Sequence, residues 1–152
     1  MGAPAHANDE ISGSAHVIDA DILRIDQQRV ILWGLDAPER NQPCYKDGEK
    51  WGCHGAARRT LELLAGRGEV VCYLLGDPDP FNRRHGVCES GDTDINGEMV
   101  NRGMAVAWEA QSSDYVEQQL DAIENERGIW SVGVEFMLPW EYRRINTPGG
   151  YR

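Results

Sequence analysis

The chain has no hydrophobic run long enough to cross a bilayer. Such a span needs about 20 apolar residues, and the longest stretch here, Val30 to Leu35, has six residues and contains Gly34. Cations are scarce as well: 15 Lys and Arg stand against 25 Asp and Glu, for a net charge of -10. That balance excludes non-specific clinging to nucleic acid, whose affinity comes from cations displacing counterions along the phosphates. Any phosphate chemistry must be local. From Glu109 to Glu126 there are six acids and no Lys or Arg, which reads as a solvated face rather than a bed for a polyanion. No C-x-x-C pair is present, so thioredoxin-like redox chemistry is excluded and the spacing is wrong for a zinc ribbon. Internal repeats and low-complexity tracts are missing too, which excludes solenoids and disordered arrays.

What remains is a chain of 152 residues with 41% apolar side chains, the size of one domain with its own core. It carries four cysteines, Cys44, Cys53, Cys72 and Cys88. Four cysteines allow three pairings. Cys44 and Cys53 flank a loop, and Cys72 and Cys88 lie on stretches that read as neighbouring strands, so those pairs are favoured over four buried thiols. Ala5-His6-Ala7 has the small-x-small form of a signal-peptidase site. Residues 1–11 are therefore read as a remnant of an export signal or tag with a flexible N-terminus, and the protein is expected to be periplasmic or secreted.

Along the chain, His16 to Ile18, Ile22 to Ile25 and Arg29 to Leu35 are short β-prone runs, the last two separated by a hairpin-like Asp26-Gln27-Gln28. Cys44 to Gly52 reads as a loop. Ala57, Leu61 and Leu64 recur at helical spacing ahead of Gly66. Glu69 to Leu75 is a strong strand and Gly86 to Glu89 a weaker one. Glu98 to Arg102 reads as a short helix stopped by Gly103, followed by an apolar stretch, Met104 to Trp108. Val116, Leu120 and Ile123 mark an amphipathic helix, capped by Ser112 or Ser113 and ended near Gly128. Trp140, Tyr142, Arg143 and Arg144 read as a tail strapped down by aromatics that frays after Pro148. Short strands with inserted helices predict an α+β, mainly β, domain built on a barrel of about five strands.

The densest chemistry lies in Val17-Ile18-Asp19-Ala20-Asp21 and in Asp36-Ala37-Pro38-Glu39-Arg40. Asp19 and Asp21 are two apart, the spacing of one strand face. If the first three strands form a meander, Asp21 and Asp36 reach one ion. Carboxylates converging in this way repel one another unless they share a proton or a hard divalent cation, and oxygen donors suit calcium. The alternative is that Asp21 is a turn residue and Asp36-Ala37-Pro38 a turn initiator.

These segments, with Leu32-Trp33-Gly34-Leu35 before Asp36, Phe81-Asn82-Arg83 and Gly128-Ile129-Trp130, resemble the staphylococcal-nuclease-like (thermonuclease) domain in order and spacing. The resemblance covers residues 12–131 and leaves 132–152 as a C-terminal extension packed on the domain. It implies a five-stranded OB-type barrel with about three helices and calcium-dependent hydrolysis of single-stranded DNA or RNA. By the same resemblance, Asp21, Asp36 and the Ala37 carbonyl hold Ca2+, and Asp19 shapes its outer shell. Glu39 is the general base and Arg83 a phosphate clamp. A metal and forked guanidinium groups suit the charge that spreads over the phosphoryl oxygens.

The pattern is broken in places. Ala20, Ile22 and Asn82 stand where the family usually has Gly, Thr and Gly. Ile31 stands where a second phosphate-gripping arginine belongs, a loss worth about 10²–10³ in rate. Arg29, two residues back on the same strand face, either leans into that gap or is an ordinary surface residue. Two functions therefore stay open: a slow or selective nuclease, and a pseudoenzyme that binds something else. Some exported family members are linked to exopolysaccharide (succinoglycan) production. Trp33, Trp51, Trp108, Trp130 and Trp140 are read as core or loop anchors rather than sugar-stacking platforms.

Overall fold

The computed structural model describes residues 9–148, so the Ala5-His6-Ala7 motif and the end of the tail lie outside the described residues. The chain opens with β1 (Glu10–Gly13), β2 (Ala15–Asp19), β3 (Ile22–Ile25), β4 (Gln28–Leu32) and a two-residue β5 (Leu35–Asp36). A small hairpin of β6 (Cys44–Lys46) and β7 (Glu49–Trp51) leads into α1 (Cys53–Ala65). Then come β8 (Val70–Leu75), β9 (Arg83–Ser90), β10 (Thr93–Asp94), α2 (Ile95–Asn101), β11 (Val106–Ala107) and α3 (Val116–Glu124). A single 3-10 turn at Gly128–Trp130, β12 (Val134–Phe136) and α4 (Pro139–Asn146) complete the described chain.

The class is α+β and mainly β, as the sequence indicates, with four α-helices among the described residues rather than about three. The main sheet runs β1-β8-β9-β4-β3-β2, with β10 on β9, and this hydrogen-bonded path does not close on itself. β1 begins at Glu10 and pairs with β8, which draws residues expected to be loose into the sheet edge. β4 lies between β3 and β9, and Val30, Ile31 and Leu32 are all buried, the continuous apolar run expected of an interior strand. Leu23, Ile25, Val30 and Leu32 meet Ala57, Leu61 and Leu64 of α1 in the core. The burial of those three α1 positions follows directly from their i, i+4, i+7 spacing.

Both disulfides pair as favoured, Cys44–Cys53 and Cys72–Cys88. Cys72 and Cys88 are direct register partners on β8 and β9, with Cα atoms 4.1 Å apart. The stretch after Cys44 is a hairpin rather than a loop. Asp47 and Gly48 both have positive φ, +53° and +80°, which is the turn chemistry of an Asp-Gly hairpin. Its charged strands lack apolar alternation and gain a third strand, β12, from the C-terminal extension.

α3 departs most from its pattern. Leu120 is 59% exposed and Ile123 40%, while Tyr115 and Ala122 are buried. No side-chain cap closes its N-terminus, and the Ser112 hydroxyl instead accepts from the Asp114 N–H. The helix is rotated by its polar anchors. Gln119 Oε1 accepts from the Ala107 N–H at 2.7 Å, Asp121 takes Asn101 and Arg127, and the Tyr115 ring sits over Gly34. A Cβ at Gly34 would lie 2.8 Å from that ring, and its φ is +83°.

Candidate functional site

Three turns assemble the acidic cluster. Asp21 belongs to the turn between β2 and β3, not to a strand shared with Asp19, and the register shifts between Val17 and Asp19. Its backbone carbonyl accepts from the Leu32 N–H at 2.9 Å, which ties the turn to the end of β4. Beyond Leu32 the chain turns through Trp33 and Gly34, where Trp33 N–H donates to Gly86 O. Buried Asn96 on α2 locks this corner: its Nδ2 donates to Trp33 O and Gly86 O, and its Oδ1 accepts from Cys88 N–H. The corner delivers Asp36 on β5, opposite Val106 of β11. Ala37 N–H then donates to Asp21 Oδ2 at 3.2 Å, so the two acidic segments meet through this bond. Glu39 follows, its N–H held by Gln42 Oε1 at 3.0 Å.

The centre of the cluster is a residue the sequence reading left in the tail. Arg143 of α4 places Nη1 2.8 Å from Asp36 Oδ1 and Nη2 2.8 Å from Asp36 Oδ2. Nη1 also lies 2.6 Å from Glu39 Oε1. The arginine side chain is 3% exposed and that of Asp36 0%. The Arg143 guanidinium also lies 5.4 Å from the ring centroid of Trp108. Trp108 in turn stacks on Trp140 at 5.8 Å and 7°. The extension seats α4 through β12 on β6, Tyr142 Oη on Asn41 O, and Gln42 Nε2 on Met137 O. Aromatic and basic residues gathered at 140–144 in an otherwise acidic chain were the available signal, but nothing local says where they dock.

Electrostatics follow the burial. Burial pushes the Glu39 carboxyl above its ordinary value; the Arg143 hydrogen bond and charge pull the other way, and Asp21 and Asp19 add to the rise. For Arg143, burial disfavours the charged form, but the bonds and charges of Asp36 and Glu39 outweigh it and raise the guanidinium. Asp19 lies beside the cluster, 3.1 Å from His54 Nε2 and 3.8 Å from Arg40 Nη2. The other His54 ring nitrogen is 2.9 Å from Pro38 O.

Arg83 sits at the start of β9, and Asp79 clamps it through Nε at 2.7 Å and through the backbone N–H at 2.8 Å. Those bonds hold the Asp79 carboxyl below its usual range despite the opposing effect of its partial burial. A carboxylate depressed in the fold contributes stability above its unfolded pKa, near 3.8, and loses it as pH falls through the lower folded value. Asp79→Asn should therefore lower the melting midpoint by only a few degrees at pH 7, since exposed pairs contribute about 0–1 kcal/mol. The gap to wild type should narrow below pH 3.8; thermal melts at pH 7 and at pH 3 measure it, and a gap that widens in acid would contradict this pairing. Arg29 donates to Phe81 O on the same loop rather than filling the place of the missing arginine. Ile31 and Ile22, two of the departures from the family pattern, are direct cross-strand partners and both are buried. An apolar pair thus replaces a hydroxyl and a cation together.

Asp21, Asp36 and the Ala37 carbonyl are the hard oxygen donors that calcium takes. In the folded arrangement, however, both Asp36 oxygens accept from the Arg143 guanidinium, whose positive charge opposes a metal there, and Asp21 accepts the Ala37 N–H. Among the described residues no three His, Cys, Asp or Glu side chains are grouped to hold a metal. This arrangement does not fit a divalent ion while Arg143 is in place.

The family model described as Staphylococcal nuclease homologue matches residues 29–132. The Succinoglycan biosynthesis protein ExoI of Rhizobium meliloti (strain 1021) is 31% identical over 150 residues, covering 96% of this chain and 78% of that protein. Two yeast proteins named Probable endonuclease LCL3 are more distant. That of Debaryomyces hansenii is 27% identical and that of Scheffersomyces stipitis 21%. Each match covers 84% of this chain but only 57% of the yeast protein. The matched region contains all of β4 but its first residue, the Asp36–Glu39 segment, Arg83 and the Gly128–Trp130 turn, and the chain belongs to the family of staphylococcal nuclease homologues.

Proposed function

We propose that this protein hydrolyses phosphodiester bonds of single-stranded DNA or RNA at the Asp21, Asp36 and Glu39 cluster, outside the cytoplasm. The observation that carries this reading is the convergence of Asp36 and Glu39 on one buried cation, with the Asp21 carboxylate bonded to the Ala37 N–H between them. Glu39 is the proton acceptor. Burial makes its carboxyl a stronger base than a free one, suited to taking a proton from water as the water oxygen bonds to phosphorus and the phosphorus–oxygen bond to the leaving sugar breaks. Arg83 supplies a forked donor for the phosphoryl oxygens once phosphate competes for it with Asp79. The family is generally calcium-dependent, so calcium belongs in the assay. Two disulfides support placing the protein in an oxidising compartment.

Cleavage of single-stranded DNA and RNA at low salt, with calcium supplied, tests the proposal. Glu39→Gln should lower the rate by about 10²–10⁴ without unfolding the protein, and equal rates for wild type and variant would overturn it. One observation favours a second reading, a non-catalytic accessory role such as one in exopolysaccharide production. Both Asp36 oxygens are held by Arg143, and a relative whose match covers 96% of the chain is named for succinoglycan biosynthesis. A wild-type rate no higher than the buffer blank decides for that reading.

A further inference from the structure

We propose that Arg143 is the resident cation of the acidic cluster, a guanidinium tethered to the chain that excludes a divalent ion from Asp36 until α4 releases it. Converging carboxylates need a positive charge, and a buried one needs both charge and hydrogen bonds. Arg143 supplies these to Asp36 through two parallel bonds and to Glu39 through a third. Those contacts place a guanidinium N–H on each Asp36 oxygen, so a divalent ion approaching this buried carboxylate meets a like charge already seated against it. The exchange has a structural route. Arg143 Nε is buried with no hydrogen-bond partner among the described residues, so the guanidinium is imperfectly satisfied where it sits. Its helix is eight residues long and is held from outside the cluster, by a three-residue strand, the Tyr142 hydroxyl and the Trp108–Trp140 stack. Losing those holds removes the cation without disturbing β4, β5 or the Asp21 turn. Among the described residues the exposed neighbour Arg144 pairs locally, with Glu141, so the basic character of the segment is not the point; the position of Arg143 is.

The inference concerns which cation occupies the cluster and stands whether or not the cluster cleaves anything. Melting midpoints in chelator and in calcium test it, on wild type, Arg143→Met and the control Arg144→Met. In chelator, Arg143→Met should melt about 6–20 °C below wild type, because a buried carboxylate loses its partner. Calcium at about a hundred times its dissociation constant should return about 5–10 °C to Arg143→Met, and leave wild type and Arg144→Met unmoved. Adding Asp36→Asn to Arg143→Met should abolish the calcium gain. If Arg143→Met does not fold, Arg143→Lys serves: an ammonium cannot hold both oxygens of the fork, so a calcium gain should appear. An equal calcium gain in wild type and the Arg143 variant would overturn the proposal, as would no gain in either variant at Arg143. These melts are separate from cleavage, so a cluster that binds calcium without hydrolysing nucleic acid sinks the proposed activity and leaves this inference intact.

Discussion

Asp36→Ala should destabilise the protein by about 3–5 kcal/mol, among the largest losses expected of any single substitution in the cluster. The carboxylate itself is fully buried, and removing it leaves the Arg143 guanidinium buried with Glu39 as its remaining ionic partner among the described residues. An uncompensated buried charge costs more than the pair contributes, so the damage should greatly exceed the net worth of the salt bridge. Asp36→Leu combined with Arg143→Leu should therefore be less harmful than the sum of the single changes, with a coupling of about 0.5–3 kcal/mol. Denaturant unfolding of the four proteins measures it. If Arg143 escapes by lifting α4 away, the Trp108–Trp140 stack breaks, and tryptophan fluorescence reports the detachment alongside a smaller loss. Additive single effects would mean that the guanidinium and the carboxylate do not depend on each other.

Gly103→Ala should cost more than about 4 kcal/mol, a size reserved for substitutions with a definite steric cause. Gly103 follows α2 with φ +69°, and a Cβ there would lie 2.0 Å from the Arg127 carbonyl oxygen and 2.6 Å from its carbon. The partner position is equally closed, since a Cβ at Gly128, φ +57°, would lie 2.2 Å from Gly103 O. The obstacles are backbone atoms, and Ile129 N–H donates to Gly103 O at 2.8 Å across the same contact. No rotamer change relieves the clash, so the junction between the end of α2 and the Gly128–Trp130 turn must open. The positive φ alone would cost an alanine only about 1 kcal/mol. A measured loss of that size would show that the two backbones separate easily and that the contact is not what joins these segments.

These two glycines illustrate how far the sequence reaches. Each was legible as a helix stop, because a chain leaving a helix with φ > 0 favours glycine wherever it occurs. That the two stops touch each other was not legible, because 24 residues separate them and nothing local encodes the contact. The same division runs through α1 and α3. Ala57, Leu61 and Leu64 name the buried face of α1 correctly because apolar burial decides its orientation. Val116, Leu120 and Ile123 misname that of α3, because Tyr115 against Gly34 and the polar anchors of Gln119 and Asp121 orient the helix instead. Periodicity reads only the hydrophobic contribution, and here other contacts outweigh it.

The sequence by itself determined the class of fold and the family, favoured the two disulfide pairs over the other pairings, and marked a set of acidic residues whose types and order point to phosphate chemistry. Those features are local or rest on short spacings, and side-chain chemistry alone carries them. Only the tertiary structure decided which cation those acids meet. A stretch that reads as a fraying tail becomes a helix because β12 finds β6 and two tryptophans stack. The arginine it carries then lies 107 residues from its partner in the chain and 2.8 Å from it in space. A buried carboxylate must be neutralised by something, but its sequence neighbourhood does not specify by what; the packing of the last helix does.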